Sequence, residues 1–298
     1  MAISKAVGTL RALGWTIDSA PRRGYRLLEG TDQPVALAVQ PLLGTTVLGR
    51  HWVYEVQVPS TNRLAAGLAA AGAPAGLVVV ADAQTQGLGR MGRGWHSPGG
   101  RNLYVSLVLR PGVPTVRVPQ IALLVGLALR RALAAVCPAV AVTLKWPNDL
   151  WVAGRKLAGV LCEMDAEVDR VRHVIVGVGL NVNAVPDEWP ADLVGRATSL
   201  RVETGTSWSR PQVLAAFLNA LEPLLNEWRG AEDLGPFLGE LDGASALCGQ
   251  RVRVEAGGRG VEGLVVGTAP DGRLRLETGA GAEVLVSSGD AHIVAGPG

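Results

Sequence analysis

The chain has 298 residues, 48% of them hydrophobic, which is ample for a globular core and excludes a disordered or low-complexity chain. Twenty-eight basic residues against 26 acidic ones leave a net charge of +2, too small to mark the whole protein for nucleic acid, and Cys137, Cys162 and Cys248 are too scattered for a disulfide framework or a zinc site. No apolar segment follows Met1, and the most apolar stretch, residues 121–136, carries Arg130 and Arg131, so a cytoplasmic protein that does not cross a membrane is expected.

In chain order, residues 2–14 place Ile3, Val7, Leu10 and Leu13 at helical spacing and end on Gly14, a natural helix stop. Residues 15–28 read as a hairpin turning at 22–24, followed by a linker with Pro34 and Pro41. Residues 51–58 alternate as a strand, and residues 60–72 form a helix pattern with Ser60 as a polar N-cap. Strand patterns recur at 76–81, 103–109, 140–146, 156–163 and 173–180, with helices near 117–136 and 211–229. Adjacent strands with few helices favour an α+β sheet over a regular βαβ alternation. From about residue 248 onward short strands alternate with Gly-rich turns, which predicts a small β-barrel.

The chemistry concentrates in three clusters. Residues 84–104, QTQGLGRMGRGWHSPGGRNLY, hold six glycines and three arginines and no acid. Gly87, Gly89 and Gly92 fit G-x-G-x-x-G, yet no helix pattern follows and no acid before Asp149 is present to hold a ribose, so the context argues against a dinucleotide fold. A Walker loop is excluded because no G-K-[ST] occurs. What remains is a mobile, cationic loop whose backbone N–H groups can approach an anion while Arg90 and Arg93 supply charge-assisted hydrogen bonds. The alternative, a solvated Gly-Arg turn, leaves Trp95 without a reason. Between residues 83 and 148 there are eight basic residues and no acid, a segment suited to a negatively charged ligand, although Arg117, Arg130 and Arg131 are expected on the solvated face of a helix.

In the second cluster, KWPNDLWVAGRK, a strand delivers Lys145, Pro147 forces an extended turn, and Asn148, Asp149 and Lys156 follow. One carboxylate beside an amide carbonyl can hold a magnesium ion that bridges nucleotide phosphates, and an Asn-Asp hairpin turn with surface lysines fits equally well. The third cluster is VIVGVGLNVN, where Gly177 and Gly179 alternate along an apolar strand, a sign that something approaches closely. Asn181 stands just beyond, able to hydrogen-bond a phosphate or ribose.

Taken in this order, PSTN (59–62), the whole segment 84–111, KWPNDL (145–150), GRKLAGVLCE (154–163) and VGVGLNVN (176–183) resemble the biotin protein ligases, whose branches include bifunctional ligase/repressors. The resemblance covers nearly the whole chain. It implies an α+β fold with a central mixed β-sheet and helices, like the catalytic domains of class II aminoacyl-tRNA synthetases and biotin ligases, over residues 46–245. It also implies a small SH3-like β-barrel over 246–298, a partial winged helix over 1–30 (its last helix and wing) and a linker over 31–45. The implied activity joins biotin and ATP, with Mg²⁺, into biotinyl-5'-adenylate and pyrophosphate. The biotinyl group then passes to a lysine of the biotin carboxyl carrier protein domain of acetyl-CoA carboxylase, and a homodimer is compatible with this.

Position by position, the resemblance implies that Ser60, Thr61, Asn62 and Gln84 line a biotin pocket. Leu88, Gly89 and Arg90 would fold over biotin and the adenylate, and Lys156 would touch the reacting carboxylate and phosphate, with Lys156 and Arg90 the catalytic candidates. Arg93, Trp95, Lys145, Asn148 and Asn181 would fall on the nucleotide, and Asp149 on the metal. One position departs from the family: Leu88 stands where an Arg is common, so only a backbone or packing role survives there.

Two rival readings use the same residues. A lipoate protein ligase shares the adenylating logic, but the Gly-triplet loop and the different turn expected of it are not seen. A DNA-binding repressor is suggested by residues 2–28, yet the two helices that should precede this helix and wing are not in the sequence, so specific DNA binding is not expected of this N-terminus.

Overall fold

Runs of Val, Leu and Ile at a period of two give strands with one face toward each of two cores, and this pattern dominates the middle of the chain. The computed structural model describes residues 2–20, 23–167, 170–256, 259–279 and 281–294. Helix α1 (Ala2–Ala12) and the hairpin of β1 (Thr16–Ala20) and β2 (Gly24–Glu29) come first; Arg22, in the expected turn, lies outside the described residues. Then follow α2 (Ala36–Val39), β3 (Trp52–Val58), α3 (Thr61–Ala70), β4 (Val78–Gln84), β5 (Leu103–Leu109) and α4 (Val118–Val136). Strands β6 (Thr143–Lys145), β7 (Asp149–Val152), β8 (Arg155–Glu167) and β9 (Arg170–Leu180) precede α5 (Leu200–Thr204), α6 (Arg210–Gly230) and α7 (Leu238–Gly243). Five strands come last: β10 (Arg251–Ala256), β11 (Arg259–Thr268), β12 (Leu274–Glu277), β13 (Glu283–Val286) and β14 (Asp290–Ile293).

Seven strands form one sheet in the order β3-β4-β5-β9-β8-β7-β6. Only β3 and β4 run parallel, joined through α3, and the other neighbours are antiparallel, so the sheet is mixed and the class is α+β. One face, with Val78, Val80, Leu107, Val176 and Val160, joins the main core under α4 and α6. The other face carries a smaller core in which Ala65 and Ala69 of α3 pack on Val79, Val108 and Ile175. Helix α4 is long and apolar enough to cross a membrane by composition, yet 67% of that stretch is buried in the protein, where it serves as the central core helix.

Local expectations needed correction in three places. Residues 149–152, read as a turn and its exit, form β7 between β6 and β8. Ser60 has extended N-cap geometry but its side chain makes no cap hydrogen bond. Arg131 lies exposed as expected, paired with Glu240 of α7, but Arg117 and Arg130 are half-buried: Arg117 stacks 4.6 Å from the Trp228 ring and donates to its carbonyl, and Arg130 donates to the carbonyl of Val142.

Two buried charges tie the linker to the sheet and helices. Arg210, 2% exposed, bonds Asp32 (Nε to Oδ2, 2.7 Å) and Asp82 of β4 (Nη1 to Oδ1, 2.7 Å). The Glu222 carboxylate accepts from the backbone N–H groups of Thr46, Val47 and Leu48 at 2.6 to 2.9 Å. Burial pushes that carboxyl up, but these bonds outweigh it and hold it below its ordinary range. The last five strands form an antiparallel sheet, β13-β12-β11-β10-β14. It is docked on the larger sheet through residues 244–246, which hydrogen-bond Leu144 of β6, and through the Trp146 indole, which donates to the carbonyl of Gly272 at 3.0 Å. That docking brings β14 beside the β6–β7 turn.

Candidate active site

Helix α3 covers only part of its face of the sheet, because it begins at Thr61 and runs away over Val79, Val108 and Ile175. Beyond its N-terminus the sheet is floored by Gly159 of β8 and by Gly177 and Gly179 of β9, which share one face because residues two apart in a strand do. These glycines are required by close approach. A Cβ on Gly177 would lie 2.8 Å from Asn62 Cγ, and one on Gly179 would lie 2.6 Å from Trp95 Nε1. Above this floor opens a cleft of about 610 Å³.

One group of polar side chains is hydrogen-bonded among itself. Gln84 Oε1 accepts from the backbone N–H of Thr61 at 2.8 Å and from its hydroxyl at 3.1 Å, while Gln84 Nε2 donates to Ser97 Oγ at 3.0 Å. Ser106 Oγ, wholly buried, lies 2.8 Å from Thr61 Oγ1 and 2.6 Å from Asn62 Oδ1. Asn62 Nδ2 donates to Glu163 Oε2 at 2.6 Å. Such a network fixes each amide in one orientation, as a site that reads a polar ligand needs.

The second group is cationic. Lys156 Nζ sits 2.8 Å from Asp149 Oδ1, an ion-pair contact whose angles leave that buried oxygen without a hydrogen bond, and 5.3 Å from the Trp95 ring. Lys145 Nζ lies 4.4 Å over the Trp151 ring; burial lowers its pKa, with Asp149 and Asp290 pulling the other way. Arg90 donates to Asn148 Oδ1 at 3.0 Å, and Asn148 in turn donates to the carbonyl of Val160 at 2.8 Å. Arg93 bridges to Asp290 of β14 at 2.7 Å. Burial pushes the Asp290 carboxyl up, but Arg93, Arg90 and Lys145 outweigh it and hold it below the ordinary carboxylate range.

The glycine loop is more ordered than its composition suggests. Gly89 N donates to the carbonyl of Arg93 at 2.7 Å and Trp95 N to that of Gly87 at 2.8 Å, so the loop is a short self-braced hairpin, with Met91 at φ 56° in its tip. Leu88, 44% exposed, faces the cleft from it.

The residues that the sequence assigns to biotin, nucleotide and metal all line this one cleft: Ser60, Thr61, Asn62 and Gln84; Leu88, Gly89, Arg90, Arg93 and Trp95; Lys145, Asn148, Asp149, Lys156 and Asn181. The Asn181 side-chain amide is already engaged, donating to the carbonyl of Thr198 at 3.0 Å. Of the eight basic residues in the acid-free segment, Arg90, Arg93 and Lys145 reach the cleft. Sequence reading missed Trp151, the segment bearing Trp189, Asp192 and Arg196, and Asp290 and His292 from β14. Trp189, an aromatic residue between prolines in a loop, was the one local signal available; Asp290 had none, since it reaches the site only through the docking of the last sheet.

Comparison with known proteins is consistent over the same span. Residues 53–181 match the biotin/lipoate A/B protein ligase family, and residues 247–293 match the biotin protein ligase C terminal domain. The chain is 34% identical over 287 residues to the bifunctional ligase/repressor BirA of Bacillus subtilis, covering 96% of this chain and 88% of that protein. It is 37% identical over 261 residues to the biotin--[acetyl-CoA-carboxylase] ligase of Mycobacterium tuberculosis, covering 84% and 91% respectively. Among solved structures, a biotin protein ligase from Aquifex aeolicus in complex with biotin and ATP is similar with a TM-score of 0.71 and 29% identity, over 82% of this chain and 99% of that one.

Proposed function

The chain belongs to the biotin protein ligases, and from that premise we propose how its cleft divides the work between biotin, ATP and an acceptor lysine. The enzyme activates biotin with ATP and transfers it to a carrier protein. The observation that carries the division is the separation of the cleft's polar residues into a fixed amide-hydroxyl network and a cationic cluster, both on the floor set by β8 and β9.

In this reading Ser60, Thr61, Asn62 and Gln84 hold the polar ring of biotin, because the donors and acceptors of Thr61, Asn62 and Gln84 are oriented before a ligand arrives and Ser60 stands beside them with its hydroxyl free to turn. The biotin carboxylate then points at the cations. It is already ionised at neutral pH and needs no base to attack the α-phosphate; pyrophosphate leaves. The difficulty is bringing two anions together, and Lys156, Arg90, Arg93 and Lys145 offset it by placing positive charge where negative charge gathers. Asn148 positions Arg90, Asn181 and Trp95 border the nucleotide, and Leu88 and Gly89 cover the acyl adenylate.

The residues present fit a magnesium ion. Asp149 offers a carboxylate whose buried Oδ1 pairs with the Lys156 ammonium at 2.8 Å but accepts no hydrogen bond, and magnesium needs few protein ligands when waters and phosphates supply the rest. Bound there, it would neutralise phosphate charge. In the second step the acceptor lysine, as the neutral amine, attacks the acyl carbon; the C–N amide bond forms, the acyl C–O bond to phosphate breaks, AMP departs and the amine gives up a proton to solvent. We assign the acceptor as the biotin carboxyl carrier domain of an acetyl-CoA carboxylase, the reaction as cytoplasmic, and α1 with its hairpin as the end of a winged helix.

The test is incubation with biotin, ATP labelled at the α-phosphate, Mg²⁺ and a purified carrier domain. Labelled AMP and a biotinylated carrier are expected, with little product when lipoate replaces biotin. AMP formation that depends on lipoate and not on biotin would overturn the substrate assignment.

A further inference from the structure

We propose that Gly179 is a positioning residue for adenylate formation: its missing side chain is the seat of the Trp95 indole, and through that seat β9 sets the placement of Lys156 and of the glycine loop. The inference rests on the ligase reading of the cleft and goes beyond it to a residue of the cleft floor that the reading gives no role.

Three observations meet at this point. The indole lies over both strands of the floor, since a Cβ on Gly179 would be 2.6 Å from Trp95 Nε1 and 2.7 Å from its Cζ2, while one on Gly159 would be 3.1 Å from its Cζ3. Distances under 3 Å to ring atoms cannot be relieved by a small side-chain movement, because the ring is wedged against the sheet and its Nε1 is buried. Next, the indole is the second support of Lys156. The lysine Nζ is 2.8 Å from Asp149 Oδ1 and 5.3 Å from the ring, so Asp149 fixes its distance and Trp95 fixes the side from which it enters the cleft. Third, Trp95 is the anchor of the loop, its backbone N–H bonded to the carbonyl of Gly87 at 2.8 Å, two residues past Arg93. Moving the indole therefore moves Lys156, Arg90 and Arg93 together.

Asn62 is held in the same way over Gly177, where a Cβ would be 2.8 Å from its Cγ. The alternation Gly177-Val178-Gly179 thus seats one residue of each polar group. Strand glycines usually weaken a sheet, and here the two buried valines between and before them, Val176 and Val178, keep the opposite face packed in the main core.

The experiment compares Gly179→Ala, Trp95→Leu and the double variant by biotin-dependent pyrophosphate exchange, with thermal melting of each. Leu ends at its Cδ atoms and lacks every ring atom that a Cβ at 179 would meet, Nε1 and Cζ2 included, so it leaves room for a methyl group there. Gly179→Ala is expected to lower kcat on the order of 100-fold, as a displacement of about 1 Å does in a positioned site. The KM for biotin, set at Gln84 and Thr61, should change less than about threefold on the same argument. Adding Trp95→Leu to Gly179→Ala should restore at least part of the lost kcat, so that the double variant exceeds the alanine variant. Should Gly179→Ala fail to fold, recovery of a cooperative melt in the double variant carries the same information. The proposal is overturned if Gly179→Ala retains wild-type kcat, or if Trp95→Leu gives no recovery of either rate or fold. Wild-type exchange in the same assay checks the ligase reading separately, so loss of that reading and loss of this inference are told apart.

Discussion

At the scale of single residues, the cleft is decided by which charges are left without a full set of partners. Lys156 has one carboxylate and one ring beside it and is 34% exposed on its side chain, so little packing depends on its ammonium. Replacing it with Ala is expected to reduce adenylate formation by roughly 100- to 1000-fold, the usual cost of one electrostatic donor at a reacting phosphate, with the melting curve almost unchanged. Pyrophosphate exchange measures this, and a rate within a few-fold of wild type would remove Lys156 from the reacting centre. The same scale explains what was readable in advance. Lys145, Asn148, Asp149 and Lys156 fall within twelve residues along one β-hairpin and its exit, so their proximity is local and the spacing reports it. Asp290 is brought to Arg93 across 197 positions, and no periodicity in SSGDAHIV distinguishes an active-site wall from any other hairpin end.

At the scale of elements, the glycine loop departs most from what its composition implies. Its glycines favour disorder entropically, yet two backbone hydrogen bonds close it into a hairpin. Hydrogen exchange without ligand should therefore find the amides of Gly89 and Trp95 slow, with those of Leu88, Met91 and Gly94 fast. Biotin with ATP should slow the fast set at least tenfold, since ligand contacts add to braces already in place. Uniformly fast exchange across 87–95 in the free protein would refute the self-braced loop. Strand and helix periods located most of the sheet and both core helices, because apolar alternation reports burial directly. They missed β7, since four residues with Trp151 and Val152 are too short to show a period, and its place follows from pairing with β6 and β8 on either side.

On the scale of the whole molecule, buried ion pairs join parts that sequence separates widely. Arg210 links Asp32, before the first strand of the large sheet, to Asp82 of β4, and Asp82 also accepts from the backbone N–H of Gly100 at the end of the loop segment. Arg210→Ala is expected to cost about 3 kcal/mol, the lower end for breaking a buried pair, since the half-exposed Asp32 can be hydrated afterwards. Urea unfolding with an unchanged slope checks the figure, and a loss below about 0.5 kcal/mol, typical of surface sites, would show that the pair is not needed. Such pairs escaped sequence reading because a lone Asp in a linker and a helix-start Arg carry no mark of each other.

The salt bridge between Arg93 and Asp290 also has a meaning in time. A ribosome synthesises Arg93 almost two hundred residues before its partner, so a nascent chain can assemble β3 to β9 while one wall of the cleft is still missing. Biotinyl-adenylate is a reactive acyl donor that would be wasted or misdirected by an enzyme lacking that wall. Chains cut after Ser288, before β14, are expected to exchange pyrophosphate at least tenfold more slowly than the full chain, a comparison made on purified proteins of both lengths. Equal rates would mean that the last strand is a bystander. Unequal ones would make the emergence of β14 the event that switches the enzyme on.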